Sequence, residues 1–321
     1  MFQYFIKRLL ALLPKLLAIV IVVFFAMELM PGNAVTRALD PDTLGRLSEQ
    51  QLQNMIAARG LDKPAYIRFF YWVGDLLKGD MGYSLAGGSP VAELLRQRLP
   101  ATMILALFAL VISTVIGILF GVIASIKKNT PIDYGLSVAA LVGTSIPQFF
   151  FCLMFMLVFA VILRWLPTGG RISVDDTSLW GYIKHLILPA TCLAMANIPG
   201  LLRYTRTSML DVMGKDYIKT ARAKGLKEYI VYMKHCFRNG CSPVVMILIS
   251  RLGMLVGGTT IIESIFNYPG MGGLFMSALS AKDTTVAMAI LMMTSMATLI
   301  TTFLADIALA ALDPRIRFEK E

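Results

Sequence analysis

The sequence predicts an all-α, polytopic membrane protein with about six transmembrane helices. Three observations carry that class. Hydrophobic residues make up 57% of the chain and charged residues only 16%, against roughly 25% charged in soluble domains. Six apolar stretches are long enough to cross a bilayer, which takes about 17–25 helical residues. Lysine and arginine gather in the links between those stretches. The roughly ten-residue alternation of barrel strands does not occur.

The first span covers 9–30 and follows Lys7 and Arg8. It is longer than a secretory-signal core and lacks a small-x-small cleavage site, so it reads as a retained helix. Residues 31–98 form a long external loop. Within it, Ser48 and Gln51 make a capping-box pattern, and Leu52, Met55 and Ile56 follow at helical spacing. Pro64 suits the start of a second helix. That helix carries Tyr66, Phe69, Phe70, Tyr71 and Trp72, either an interfacial aromatic anchor or a ledge for an external partner. The core, 99–312, holds spans at 99–126, 134–163, 186–202, 244–262 and 285–312, and 313–321 is a short tail.

Orientation follows from the shorter links. Residues 203–240 carry nine Lys/Arg against three acids. Lys127 and Lys128 follow the second span, and Arg315, Arg317 and Lys320 lie in the tail. All three regions fall on one side with the N-terminus, so both termini are expected in the cytoplasm.

Several polar residues interrupt the spans. Thr144, Ser145 and Gln148 flank Pro147, and Asn197 lies between Pro189 and Pro199. Proline removes a backbone hydrogen bond, and the freed groups need water or protein partners. These residues fit a polar translocation pathway, and packing kinks explain the prolines equally well. Glu263, Asn267 and the turn 269–273 read as an external gate or re-entrant element that shares the pathway. Arg251 and Asp306 lie at similar depths in the last two spans, where an unpaired charge is costly, so they are expected to pair.

The net charge of +10 reflects the positive-inside bias. The basic residues form no continuous patch, which argues against nucleic-acid binding. Cys152 and Cys192 lie in apolar spans. Cys236 and Cys241 beside His235 lack a repeated ligand spacing, so neither a disulfide framework nor a metal site is expected. The nearest trace of a phosphate-binding loop is Gly214-Lys215, with Met209 where its first glycine belongs and Asp216 where its hydroxyl belongs. The chain is therefore not expected to be an enzyme or to bind a nucleotide cofactor itself.

The stretch "DYIKTARAKGLKEY", residues 216–229, is charged and lies between the fourth and fifth spans. On a helix, Tyr217, Ala221 and Gly225 share one face, with Thr220 beside them. Lys219, Arg222 and Lys224 offer charge at its rim. Gly225 is a natural helix stop. A second helix is expected from about Lys227, with Ile230, Val231, Met233 and Phe237 on its apolar side. On pattern alone this is also an interfacial amphipathic helix.

The run from Asp216 through Ala223 to Gly225 resembles the "EAA" loop of ATP-binding cassette importer permeases of the oligopeptide/dipeptide/nickel branch. Lys219 stands where the general pattern has glutamate and Thr220 where it has the first alanine. Ala221 and Gly225 keep their places. Eight further motifs in order resemble the same branch: "GDMGYSL" (79–85), "RLPATMILAL" (98–107), "SIPQFF" (145–150), "LPTGG" (166–170), "RYTRTSML" (203–210), "RNGCSPVV" (238–245), "FNYPGMGGL" (266–274) and "AALDPRIR" (310–317). The resemblance implies a type I importer permease fold in the bacterial cytoplasmic membrane, surrounded by lipid. It implies a second, similar permease subunit, two ATPase subunits that bind ATP and magnesium, and an external solute-binding protein. It implies that residues 216–225 seat on an ATPase subunit. The implied cargo is peptide, with nickel or a metal chelate as the alternative. An ion-coupled secondary transporter is the alternative from another class.

Overall fold

In a computed structural model, residues 2–29, 35–36, 45–58, 60–173, 176–251 and 259–312 are described. Their helices are α1 (Phe2–Glu28), α2 (Glu49–Ala58), α3 (Ala65–Leu77), α4 (Val91–Ile126), α5 (Pro131–Ser145), α6 (Gln148–Phe155), α7 (Leu179–Met195), α8 (Ile198–Met213), α9 (Asp216–Ala223), α10 (Glu228–Ile230), α11 (Arg238–Arg251), α12 (Thr260–Ile265), α13 (Met271–Ser280) and α14 (Thr284–Leu312). α6 and α10 each continue as a π-helical stretch, Met156–Ile162 and Val231–Phe237.

α4 is the spine, packing on α8, α7, α5 and α13. Its closest neighbour is α8, and the sequence shows why. A Cβ on Gly117 would lie 2.6 Å from Leu201 Cβ, and one on Gly121 would lie 2.5 Å from Thr205 Cβ. Two glycines four apart clear one face of α4, as in small-xxx-small packing of membrane helices. α1 and α14 form an antiparallel pair: Phe5 meets Phe303 edge-on at 5.3 Å, and Val20 and Val23 pack with Met292.

Three expected spans are bent or extended. The 134–163 span is two helices, α5 and α6, at 102°. Pro147 pushes the preceding Ile146 out of the helical region, to φ −85° and ψ 127°. The 186–202 span is α7 and α8 at 52°, and α8 runs on to Met213, so "RYTRTSML" is helix, not loop. α4 begins at Val91, before the expected 99, and Pro100 lies inside it. The polar residues Glu93, Arg96 and Gln97 had disguised its first turns. Among the described residues, three helices can cross a membrane unbroken, and five spans result if each bent pair counts as one. The expected 244–262 span begins in α11, and residues 252–258 lie outside the described set, as does the 313–321 tail.

Contacts between helix ends fall into two groups that agree with the two-sided loop assignment. At one end, Arg8 Nη2 lies 3.0 Å from Asp306 Oδ1, and Arg206 donates from Nε and Nη2 to the two oxygens of Asp133 at 2.6 and 2.7 Å. At the other, Arg68 pairs with Glu28, Ser84 Oγ donates to Asp283 Oδ2 at 2.5 Å, and Gly170 N donates to Phe266 O at 2.8 Å. The structure shows Asp306 paired with Arg8; the side chain of Arg251, its expected partner, lies outside the described residues. Because α1 runs antiparallel to α14, a charge near the start of one meets a charge near the end of the other.

The external loop folds onto this frame. The capping box forms reciprocally: Gln51 N donates to Ser48 Oγ at 3.3 Å and Ser48 N to Gln51 Oε1 at 3.0 Å. In α3, Phe69 and Trp72 pack on Phe24, while Tyr66, Phe70 and Tyr71 face outward.

Candidate functional site

The stretch 216–237 folds as an elbow. α9 starts with Asp216, whose carboxylate suits a helix N-terminus and accepts from Lys219 Nζ at 2.8 Å. Thr220 Oγ1 donates back to the Asp216 carbonyl at 3.1 Å. α9 ends as expected: Lys224 N donates to Thr220 O at 3.0 Å, Gly225 N to Arg222 O at 2.9 Å, and Gly225 has φ +74°. That left-handed geometry costs little only for glycine. The chain then turns into α10, entered through Lys227.

One side of the elbow is anchored. Ile218 and Ala221, three apart, are buried in an apolar cluster with Val122 of α4, Met209 of α8, and Val231 and Cys236 of the π-helical stretch. The expected strip of Tyr217, Ala221 and Gly225 is thereby divided. Ala221 packs inward, whereas Tyr217 and Gly225 are exposed. The outward surface is Tyr217, Lys219, Thr220, Ala223, Lys224 and Gly225. Likewise Val231 is buried but Met233 is exposed, because π-helical winding rotates the expected apolar side.

Arg222 is not a free rim charge. Its Nε and Nη2 donate to Glu228 Oε1 and Oε2 at 3.0 and 3.3 Å, across the Gly225 turn. The Glu228 hydrogen bond holds the Arg222 pKa above its usual value, and the same bond holds the Glu228 carboxyl below its own. Burial pushes the neighbouring Tyr232 phenol up, with the Glu228 hydrogen bond second. Arg222 also lies 5.9 Å from the centre of that ring. This clasp gives the elbow a defined angle. The resemblance had pointed to the stretch, but Glu228 was not singled out.

The expected pathway residues are not gathered at one point. Thr144, Ser145 and Gln148 stand at the α5–α6 bend, where both hydroxyls donate to the Leu141 carbonyl, at 2.8 and 2.9 Å. Asn197 stands at the α7–α8 bend, donating to Leu193 O at 3.3 Å. The two bends adjoin, since a Cβ on Gly143 would lie 3.3 Å from Pro199 Cγ.

Glu263 lies elsewhere, at the end of the molecule opposite the elbow. It is fully buried. Its Oε1 accepts from Thr102 Oγ1 at 2.7 Å, and its Oε2 accepts from the Gly272 and Gly273 amides at 2.6 and 3.1 Å. Thr102 Oγ1 in turn accepts from Met271 N at 2.8 Å. A buried carboxylate is tolerated when hydrogen-bonded in this way. The residue thus joins α12, α13 and α4 like a rivet. Thr102 was not anticipated, although its polarity within an apolar run was a signal. Above the rivet opens a cavity of about 920 Å³.

Among the described residues no group of His, Cys, Asp or Glu has the makings of a metal site. Cys152, Cys192 and Cys236 are free and buried.

Residues 117–318 match the model of a family described as binding-protein-dependent transport system inner membrane component. The oligopeptide transport system permease protein AppB of Bacillus subtilis is 39% identical over 320 residues, covering 99% of this chain and 100% of that one. The glutathione transport system permease protein GsiC of Escherichia coli O6:H1 is 33% identical over 319 residues, covering 99% and 100%. In fold, the chain resembles one solved in inward-facing conformations of the MetNI methionine ABC transporter, with a TM-score of 0.56 and 17% identity over 68% of this chain and 96% of that one.

Proposed function

The chain belongs to the family of binding-protein-dependent transport system inner membrane components, and from that premise we propose that it is the permease subunit of an ATP-driven importer of peptides. The observation that carries the reading is the elbow. Ile218 and Ala221 seat it on α4 and α8, Arg222 and Glu228 set its angle, and Tyr217, Thr220 and Lys224 are left facing outward. Such a part transmits a push from a docked protein into the spans. Separate ATPase subunits, binding ATP and magnesium, dock there from the cytoplasm. A second, similar permease completes the pathway, and an external solute-binding protein delivers cargo. Thr144, Ser145, Gln148 and Asn197 lie along that pathway, where bending of α5–α6 and α7–α8 accompanies opening. Peptide cargo rests on the names of the relatives AppB and GsiC.

The test is uptake of a labelled peptide by vesicles containing the chain with its partner permease, ATPases and binding protein. Uptake that requires ATP hydrolysis is expected. Uptake driven by an ion gradient without nucleotide contradicts the proposal. ATP-driven uptake of nickel or a chelate, with no peptide uptake, leaves the machinery in place and overturns the cargo.

A further inference from the structure

The 920 Å³ cavity has a charge imbalance that its structural role does not explain. Arg98, from the first third of α4, and Arg171, from the link between α6 and α7, both line it. Both are half-buried. Among the described residues Arg98 has no carboxylate partner, and Arg171 lies over the face of Tyr182, 5.8 Å from its centre, and near the phenol of Tyr268. Glu263 is the one acid of the wall among the described residues, and its two oxygens are occupied by Thr102 and the amides that open α13. It therefore forms no ion pair with either guanidinium, and the described lining carries two positive charges against one negative. Asn267, Ser277 and Ser280 add hydrogen-bonding groups to the lining. A guanidinium presents a planar fork of N–H donors that matches a carboxylate, and charge-assisted bonds of that kind are the strong ones.

We infer that Arg98 and Arg171 form a carboxylate-binding site at the external mouth of the permease, which receives the terminal carboxylate of the arriving solute. The inference rests on the peptide reading above, because every unmodified linear peptide carries such a group. A lipid phosphate has related chemistry, but the lining offers mixed polar groups to a small solute and no continuous apolar slot for acyl chains.

The experiment uses the assembled permease–ATPase complex in phosphatidylcholine nanodiscs, with the binding protein omitted so that its own recognition does not intervene. The probes are N-terminally labelled tetra-alanine with a free carboxylate and the same peptide as its C-terminal amide. The wild-type complex is expected to bind the acid at least about tenfold more tightly than the amide. Arg98→Gln/Arg171→Gln should abolish that difference, and Arg98→Lys/Arg171→Lys should restore part of it, which a folding defect would not do. Equal binding of acid and amide by the wild type, or a preference that survives the double glutamine variant, overturns the inference. Acid binding lost only when phosphatidylglycerol is added to the nanodiscs assigns the arginines to lipid and also overturns it. Uptake by the complete importer is measured alongside. Peptide uptake without acid preference sinks only this inference, whereas absence of any peptide uptake sinks the cargo reading.

Discussion

Gly225 decides the shape of the elbow. Its φ of +74° lies where side chains are strained, yet a Cβ there would meet no atom within 4 Å. Substitution therefore costs conformation, not space, about 1–2 kcal/mol for an ordinary residue. Gly225→Val should insert normally but lose most peptide-stimulated ATP hydrolysis and uptake by the full complex. Gly225→Asn should retain both, since asparagine tolerates this geometry. The Arg222–Glu228 clasp makes a second prediction. Glu228 has a folded-state pKa depressed below its ordinary 4.5, so its contribution is present above pH 4.5 and is lost as pH falls through the lower, folded value. Amide-exchange protection across 221–230, measured against the intrinsic pH trend, should therefore be constant from neutral pH to about 4.5 and fall below it, and Glu228→Gln should be poorly protected throughout. The helix stop at Gly225 and restart near Lys227 were legible, because both are local backbone chemistry. The inward turn of Ala221 was not. A helical wheel defines faces only relative to one another, and the core-facing side is set by α4 and α8. Ile218, three residues before Ala221, was the clue.

At the scale of elements, the α4–α8 contact depends on two absent side chains. Gly121→Ala places a Cβ 2.5 Å from Thr205 Cβ and 2.7 Å from the Leu202 carbonyl. It should destabilise the protein by about 1–3 kcal/mol, read as a lower unfolding temperature in detergent. Gly135→Ala is the control, since nothing lies within 4 Å of its Cβ, and it should change stability by about 0.5 kcal/mol or less. The Asp133–Arg206 bridge ties the start of α5 to α8, with Asp133 only 1% exposed. Removing Asp133 alone should cost more than removing both partners, because it leaves Arg206 with an unmet charge; equal costs in a double-mutant cycle contradict that. The Gly117–Gly121 pair has small-xxx-small spacing but was not singled out from the sequence, because its meaning depends on the partner helix. Pro147 announced a break, but proline specifies where a helix can bend and not by how much. The 102° angle comes with a tertiary contact that the sequence does not display, Gly143 of α5 beside Pro199 of α8. The early start of α4 at Val91 was hidden because its first turns are polar outside the apolar span.

Across the whole molecule, α4 joins the two working ends. Arg98 lies near its beginning, at the external cavity, and Val122 near its end, in the cluster beneath the elbow. Twenty-four residues of helix separate them by about 36 Å, so a tilt of α4 moves both. Loop charge had assigned each link to its side of the membrane, and contacts across the bundle agree, Arg8 with Asp306 at one end and Ser84 with Asp283 at the other. The partners of those charges were not legible, because they come from residues 298 and 199 positions apart. The central claim is that the outward face of α9 is where an ATPase subunit docks. Cross-linking in the assembled importer tests it most directly, with single cysteines introduced after the native cysteines are replaced by alanine. Thr220→Cys, on the exposed face, should join to an ATPase subunit, and Ile218→Cys, in the buried cluster, should not. If Thr220→Cys joins no ATPase subunit in a complex that still transports, the account is wrong.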